Sequence, residues 1–172
     1  WHYQSTNGES WDHTATQQII IADLMIDGQK RHVVMQAPKN GFFYVIDAAT
    51  GQLISAKSFT DITWATHVDL KTGRPVLTKE ARYEETGKPF LSKQNPNGAH
   101  TWHSMSFSLQ TNLVYLPIHG TPFVYGQPKD FGLRPMTQNV GADFSGNAAI
   151  DPKRALDETF GDSGTLGRVR KG

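Results

Sequence analysis

From Thr16 to Ile26 the chain reads TQQIIIADLMI, breaks at Asp27-Gly28, and resumes as HVVMQ over His32–Gln36. Asp-Gly between two apolar runs predicts a tight hairpin, because both central residues of such a turn need positive φ. Gly41–Asp47 (GFFYVID) is aromatic and β-branched and is closed by Ala48-Ala49-Thr50-Gly51, and Gln52–Phe59 (QLISAKSF) supplies a further strand. Residues 14–60 therefore predict three or four antiparallel strands. Residues 66–99 are polar and punctuated by Gly73, Pro75, Gly87, Pro89, Pro96 and Gly98, which predicts an irregular excursion with little core of its own. Patterning returns over 104–118, where SMSFS and LVYLPI, joined by Leu109–Asn112, predict a second hairpin. The tail, 120–172, reads as loop apart from a short helical turn at Asp151–Thr159. The fold class is all-β, and radial repetition and a sandwich are both compatible with the strands.

Charge removes some functions. Seventeen Lys and Arg against sixteen Asp and Glu leave a net charge of +1. That is not the footprint of a nucleic-acid binder. With no cysteine, the chain has no disulfide, thiolate chemistry, Cys-type zinc site or c-type haem attachment. A mean hydropathy of −0.48 and apolar runs as short as Ile19–Ile21 and Val33–Met35 exclude a membrane-spanning helix. The opening Trp1-His2-Tyr3-Gln4 has neither the basic start nor the apolar run of a signal peptide, and the ends of the chain predict a piece of something longer.

Five stretches carry a family signature: WDHTATQ (Trp11–Gln17), QAPKNGFFYV (Gln36–Val45), IDAATG (Ile46–Gly51), Thr72-Gly73-Arg74-Pro75, and GAHTWHSMSF (Gly98–Phe107). In this order they resemble the pyrroloquinoline-quinone (PQQ)-dependent alcohol dehydrogenases of the methanol and ethanol dehydrogenase type, from Trp1 to about Pro117. The resemblance implies part, about two blades, of an eight-bladed β-propeller with PQQ near its axis and a calcium ion beside the quinone. It implies oxidation of a primary alcohol, an aspartate as general base, and electrons passed to a cytochrome c or membrane quinone, with a haem c in another domain as one arrangement. A periplasmic location follows from the same family. IDAATG resembles the turn that docks a blade on its neighbour, with Trp1 as the tail of the preceding version.

Within that frame Lys39 is the first candidate for the cofactor, since the family places Lys or Arg before Asn-Gly against the quinone carbonyls. A cation there stabilises the charge that develops as hydride arrives. Thr101 and Trp102 come next. The family shows Asn-Trp at this point, so Thr101 keeps a single hydroxyl donor in place of the amide, and Trp102 offers a flat wall for a tricyclic ring. Ser104 stands where the family usually has Pro. The resemblance puts the catalytic base and the calcium ligands before residue 1, so no catalytic residue and no metal ligand is assigned here. Asp12 is read as a structural acceptor tying a turn. The seven histidines, His100 and His103 among them, are read as packing or loop hydrogen bonds. Gly161-Asp162-Ser163-Gly164 is read as a Gly-rich turn rather than a nucleophile loop. A second class of function fits the same strands: a non-catalytic propeller or sandwich module whose loops bind a partner. Lys39 discriminates the two.

Overall fold

The computed structural model describes residues 1–137 and 139–149. The helical turn expected at 151–159 and the segment Gly161–Gly164 lie outside the described residues. A four-stranded antiparallel sheet is formed by β1 (Ile20–Ile26), β2 (Gln29–Gln36), β3 (Phe42–Asp47) and β4 (Leu53–Ser58), in chain order. Asp27 and Gly28 have φ of 51° and 75°, the pair of positive values that the Asp-Gly hairpin requires. Three two-stranded pairs accompany it: β5 (Ala65–Asp69) with β6 (Arg74–Leu77), β7 (Phe90–Ser92) with β10 (Phe123–Tyr125), and β8 (Ser106–Ser108) with β9 (Leu113–Tyr115). One four-residue helix, α1 (Tyr83–Thr86), and a short 3₁₀ segment at Ser145–Ala149 complete the described elements.

Side chains alternate across a strand, so each face of β3 feeds a different core. Phe42, Tyr44 and Ile46 join Trp11, Trp64, Tyr83, Phe90 and Tyr125. Phe43 and Val45 turn the other way, with Val33 and Met35, toward Met105, Leu116 and Phe107. Burial on both faces explains the unbroken apolar run FFYVI, which a sheet wet on one side would interrupt with polar residues. A cavity of about 440 Å³ remains between the four-stranded sheet and β8–β9, lined by Leu24, Met35, Phe43, Ile54, Phe107 and Val114.

Two turns repeat one device. Asp47 Oδ1 accepts from the backbone N–H groups of Ala49 and Thr50 and from the Thr50 hydroxyl. Asp69 Oδ1 accepts from those of Lys71 and Thr72. The Trp1 ring lies against Gly51 and donates to Ala48 O at 2.8 Å, while the Tyr3 ring lies against Gly73 and its hydroxyl donates to Gly73 O at 2.7 Å.

The excursion corrects the sequence reading. Residues 66–99 hold most of β5, all of β6 and β7, and α1, and Ala81, Tyr83 and Phe90 are buried in the larger core. The tail likewise contributes β10, whose Tyr125 pairs with Phe90. The partner of β7 lies more than thirty residues downstream in the chain, so no local periodicity announces either strand.

Candidate cofactor site

Three of the five motif stretches converge on one turn. β2 ends at Gln36, and Pro38–Gly41 turns the chain into β3, with Gly41 N–H donating to Pro38 O. Asn40 at its centre is fully buried and uses its whole amide. Nδ2 donates to Ser5 O, Thr6 Oγ1 and Tyr44 Oη, and Oδ1 accepts from Phe42 N–H. Trp64 Nε1 donates to Asn40 O at 2.8 Å. The backbone that carries Lys39 is therefore held from several sides, although sequence inspection singled out only the lysine.

The segment before β1 brings a carboxylate to that lysine. Glu9 Oε1 accepts from the N–H groups of Trp11 and His13, both at 2.7 Å, folding residues 9–13 into a loop with Asp12 at φ 63°. A positive φ is uncommon outside glycine, although Asp adopts it more readily than most. Asp12 Oδ2 lies 3.0 Å from Lys39 Nζ. The Lys39 side chain is 12% exposed and that of Asp12 59%, so a half-wet acid caps a nearly buried cation. The expected role of Asp12 as a turn acceptor is corrected here: Glu9 takes the backbone donors, and the Asp12 carboxylate faces Lys39.

A third strand of the site is the loop after the excursion. Gly98 has φ 77°, and a Cβ there would fall 2.3 Å from Lys39 Cβ and 2.5 Å from its Cα. Ala99 N–H donates to Lys39 O at 2.9 Å. The fully buried His100 ring places Nδ1 2.6 Å from Ala37 O and Nε2 2.9 Å from His103 O. Gln17 Nε2 donates to His100 O. Thr101, half-buried, and Trp102 are thus carried on a loop fastened to the Lys39 turn. Trp102 is 77% exposed and stacks one face on His103, with ring centres 4.3 Å apart and planes at 17°. No cluster of three metal-ligating side chains is present among the described residues.

Behind the pair sits His13, fully buried against Trp11 and Trp64, with no hydrogen-bond partner for either ring nitrogen among the described residues. Burial first, and the Lys39 charge second, push its pKa down to about 3. The unfolded chain titrates His near 6.5, so between pH 6.5 and 3 it binds a proton that the folded chain refuses. Stability is therefore present above pH 6.5 and falls as the medium is acidified. At 1.36 kcal/mol per unit the loss reaches about 2 kcal/mol by pH 5. Asp47, held low chiefly by the Thr50 N–H, and the likewise depressed Asp69 add their own loss only in the carboxylate range below. Denaturant unfolding at stepped pH should show the upper limb in the wild type and not in His13→Phe. An identical limb in both would assign it to another group.

A four-stranded antiparallel sheet buried on both faces is the unit from which a β-propeller is built. Residues 1–57 match the family described as PQQ, the glucose/ethanol/alcohol dehydrogenase β-propeller domain. The chain is 57% identical over 135 residues to quinohemoprotein alcohol dehydrogenase ADH IIB of Pseudomonas putida, covering 78% of this chain and 19% of that one. It is 44% identical over 146 residues to the dehydrogenase subunit of an alcohol dehydrogenase (quinone) of Komagataeibacter europaeus, covering 84% and 20%. The solved quinohemoprotein alcohol dehydrogenase ADHIIG of Pseudomonas putida superposes with a TM-score of 0.80 at 47% identity, over 83% of this chain and 22% of that one. The chain is similar to part of the PQQ-dependent alcohol dehydrogenases and forms part of a β-propeller of their kind. It spans about a fifth of the length of the curated relatives it matches.

Proposed function

We propose that the protein containing this chain oxidises primary alcohols to aldehydes with PQQ, and that Lys39, Thr101 and Trp102 form one side of the cofactor pocket. The observation that carries the reading is the Lys39–Asp12 pair, a cation held by one carboxylate at 3.0 Å and roofed by a loop bearing an exposed indole. The donor set suits the group. A planar quinone carrying carboxylates pairs with an ammonium and stacks on a flat aromatic face.

PQQ, when bound, supplies the acceptor for the hydride leaving the alcohol carbon. Lys39 Nζ donates to a quinone oxygen and stabilises negative charge there, an effect that strengthens where water is excluded. The Asp12 carboxylate, reachable from solvent and next to that ammonium, takes the hydroxyl proton as general base. This is a second reading of the base, beside the upstream segment that the family resemblance implies. A sparsely populated backbone conformation at a reactive side chain has precedent as a feature of functional sites. Trp102 fixes the plane of the ring and shields it. Calcium beside the quinone, its ligands on other segments, a haem c in a further domain, a cytochrome c or membrane quinone as electron acceptor, and the periplasm as location complete the proposal. These rest on the family resemblance.

Lys39→Ala in the full-length enzyme should lower kcat by about 10²-fold or more, in the range for loss of one electrostatic donor to the transition state. Lys39→Arg should recover part of it. Dye-linked alcohol oxidation undiminished in Lys39→Ala would overturn the assignment.

A further inference from the structure

The loop that bears Trp102 and the stretch between β9 and β10 bring two histidine rings together. His103 Nδ1 lies 3.4 Å from His119 Nε2, with the ring centres 5.1 Å apart and the planes at 42°. A well-formed hydrogen bond from a ring N–H closes to roughly 2.7–3.2 Å, so the pair is spaced wide for one. Two imidazoles bound to a single tetrahedral zinc ion, at about 2.0–2.1 Å each, stand about 3.4 Å apart nitrogen to nitrogen and about 5.2 Å apart centre to centre. Both separations in the structure match those of two rings whose lone pairs converge on one point.

We propose that His103 Nδ1 and His119 Nε2 form a binding site for a divalent transition-metal ion of the zinc class. Imidazole is a donor that zinc, copper and nickel accept, whereas calcium asks for six to eight oxygens. No third His, Cys, Asp or Glu joins the pair among the described residues. The remaining positions of the tetrahedron therefore fall to water or to an added ligand, and the ion is exchangeable rather than caged.

Both rings are carried on backbone that is held independently of the pair. His119 N–H donates to Ala99 O at 2.7 Å, which ties its segment to the loop before Trp102. His103 O lies 2.9 Å from His100 Nε2, and Met105 N–H, two residues on, donates to Gln18 Oε1 at 2.9 Å. The Trp102 indole stacks on the His103 ring at 4.3 Å and fixes its plane. Supports of this kind set the orientation of ligating rings and lower the ordering cost of binding the ion. Burial first, and then the charges of His103 and His100, hold the His119 pKa below its usual value, so at neutral pH that ring offers the free lone pair that a metal needs.

The test is a calorimetric titration of the full-length protein with zinc chloride at neutral pH, with calcium in excess throughout. The tightest zinc equivalent of the wild type should be weakened at least about tenfold in His103→Gln and equally in His119→Gln, since losing even an outer partner of a ligand costs that much. His67→Gln, at an exposed ring that meets the Thr66 hydroxyl, should leave it in place. Zinc should also raise the denaturant midpoint of the wild type and of His67→Gln, and not that of the two ligand variants, because an ion that binds the folded chain stabilises it. Should either ligand variant fail to fold, the wild type loaded with one equivalent of copper(II) decides: its electron paramagnetic resonance should show two nitrogen donors, and a single one would overturn the site. Zinc affinity unchanged in both ligand variants, a loss in only one of them, or no zinc bound by the wild type would overturn it as well.

Discussion

Asp12→Asn should leave PQQ bound and reduce kcat by about 10²- to 10⁴-fold, the range that a positioned general base contributes. Asparagine keeps the shape of the side chain and tolerates the positive φ that Asp12 adopts at 63°. It also still offers an oxygen to Lys39 Nζ, which lies 3.0 Å from the carboxylate. What it loses is the capacity to take a proton. The effect therefore belongs in kcat and in kcat/KM equally, the pattern of an interaction made only in the transition state. The limb of the pH–rate profile that reports the base should go with it. If the base were carried by another segment, Asp12→Asn would only exchange the charged partner of the Lys39 ammonium for a neutral one. Activity would then change by less than about tenfold, the scale of an exposed ion pair. A fall that small would return Asp12 to a supporting role and put the base elsewhere in the longer chain.

That carboxylate shows where sequence reasoning reached and where it stopped. The four-stranded sheet was legible because its information is local. Asp27-Gly28 sets a turn, and GFFYVID can only be a strand buried on both sides once its neighbours are strands too. The turn that carries Lys39 was legible because it lies inside a contiguous motif. Asp12 lies inside one as well, but its role depends on a partner 27 residues away and on Glu9, whose carboxylate takes the backbone donors that an Asx turn would have used. The same limit hid the excursion. β7 pairs with a strand in the tail, Tyr83 donates to Ser10 O, and Trp11 Nε1 donates to Ala81 O, so a polar, Gly- and Pro-broken stretch builds one wall of the core through contacts of long sequence separation. Its apolar residues are too widely spaced to show a period, and each is buried by something that its neighbours in sequence do not reveal. Gly98 was visible only as punctuation, although its missing side chain is what lets two motifs touch.

Gly98→Ala is expected to be among the most damaging single changes in this chain, and Gly28 supplies its control. The two glycines have nearly the same backbone, φ 77° and 75°. An L-residue in that region costs roughly 1–2 kcal/mol wherever it stands. A Cβ on Gly28 meets nothing within 4 Å, so Gly28→Ala should cost that strain alone. On Gly98 the same atom would lie 2.5 Å from Lys39 Cα and 2.3 Å from its Cβ, and the backbone atom cannot swing aside as a side-chain tip would. Asn40 and Trp64 hold the turn from behind, so the loop is the part that moves. The Ala99 N–H bond to Lys39 O stretches with it, and Thr101 and Trp102 travel away from the lysine. An added loss of about 1–3 kcal/mol is expected from forcing a close-packed contact apart, with PQQ affinity reduced tenfold or more because each 1.4 kcal/mol is a decade. Comparing the two variants by denaturant unfolding and by PQQ titration isolates the packing from the backbone strain. Equal stabilities and equal affinities would mean that the loop does not rest on Lys39, and the convergence of the two motifs would lose its physical basis.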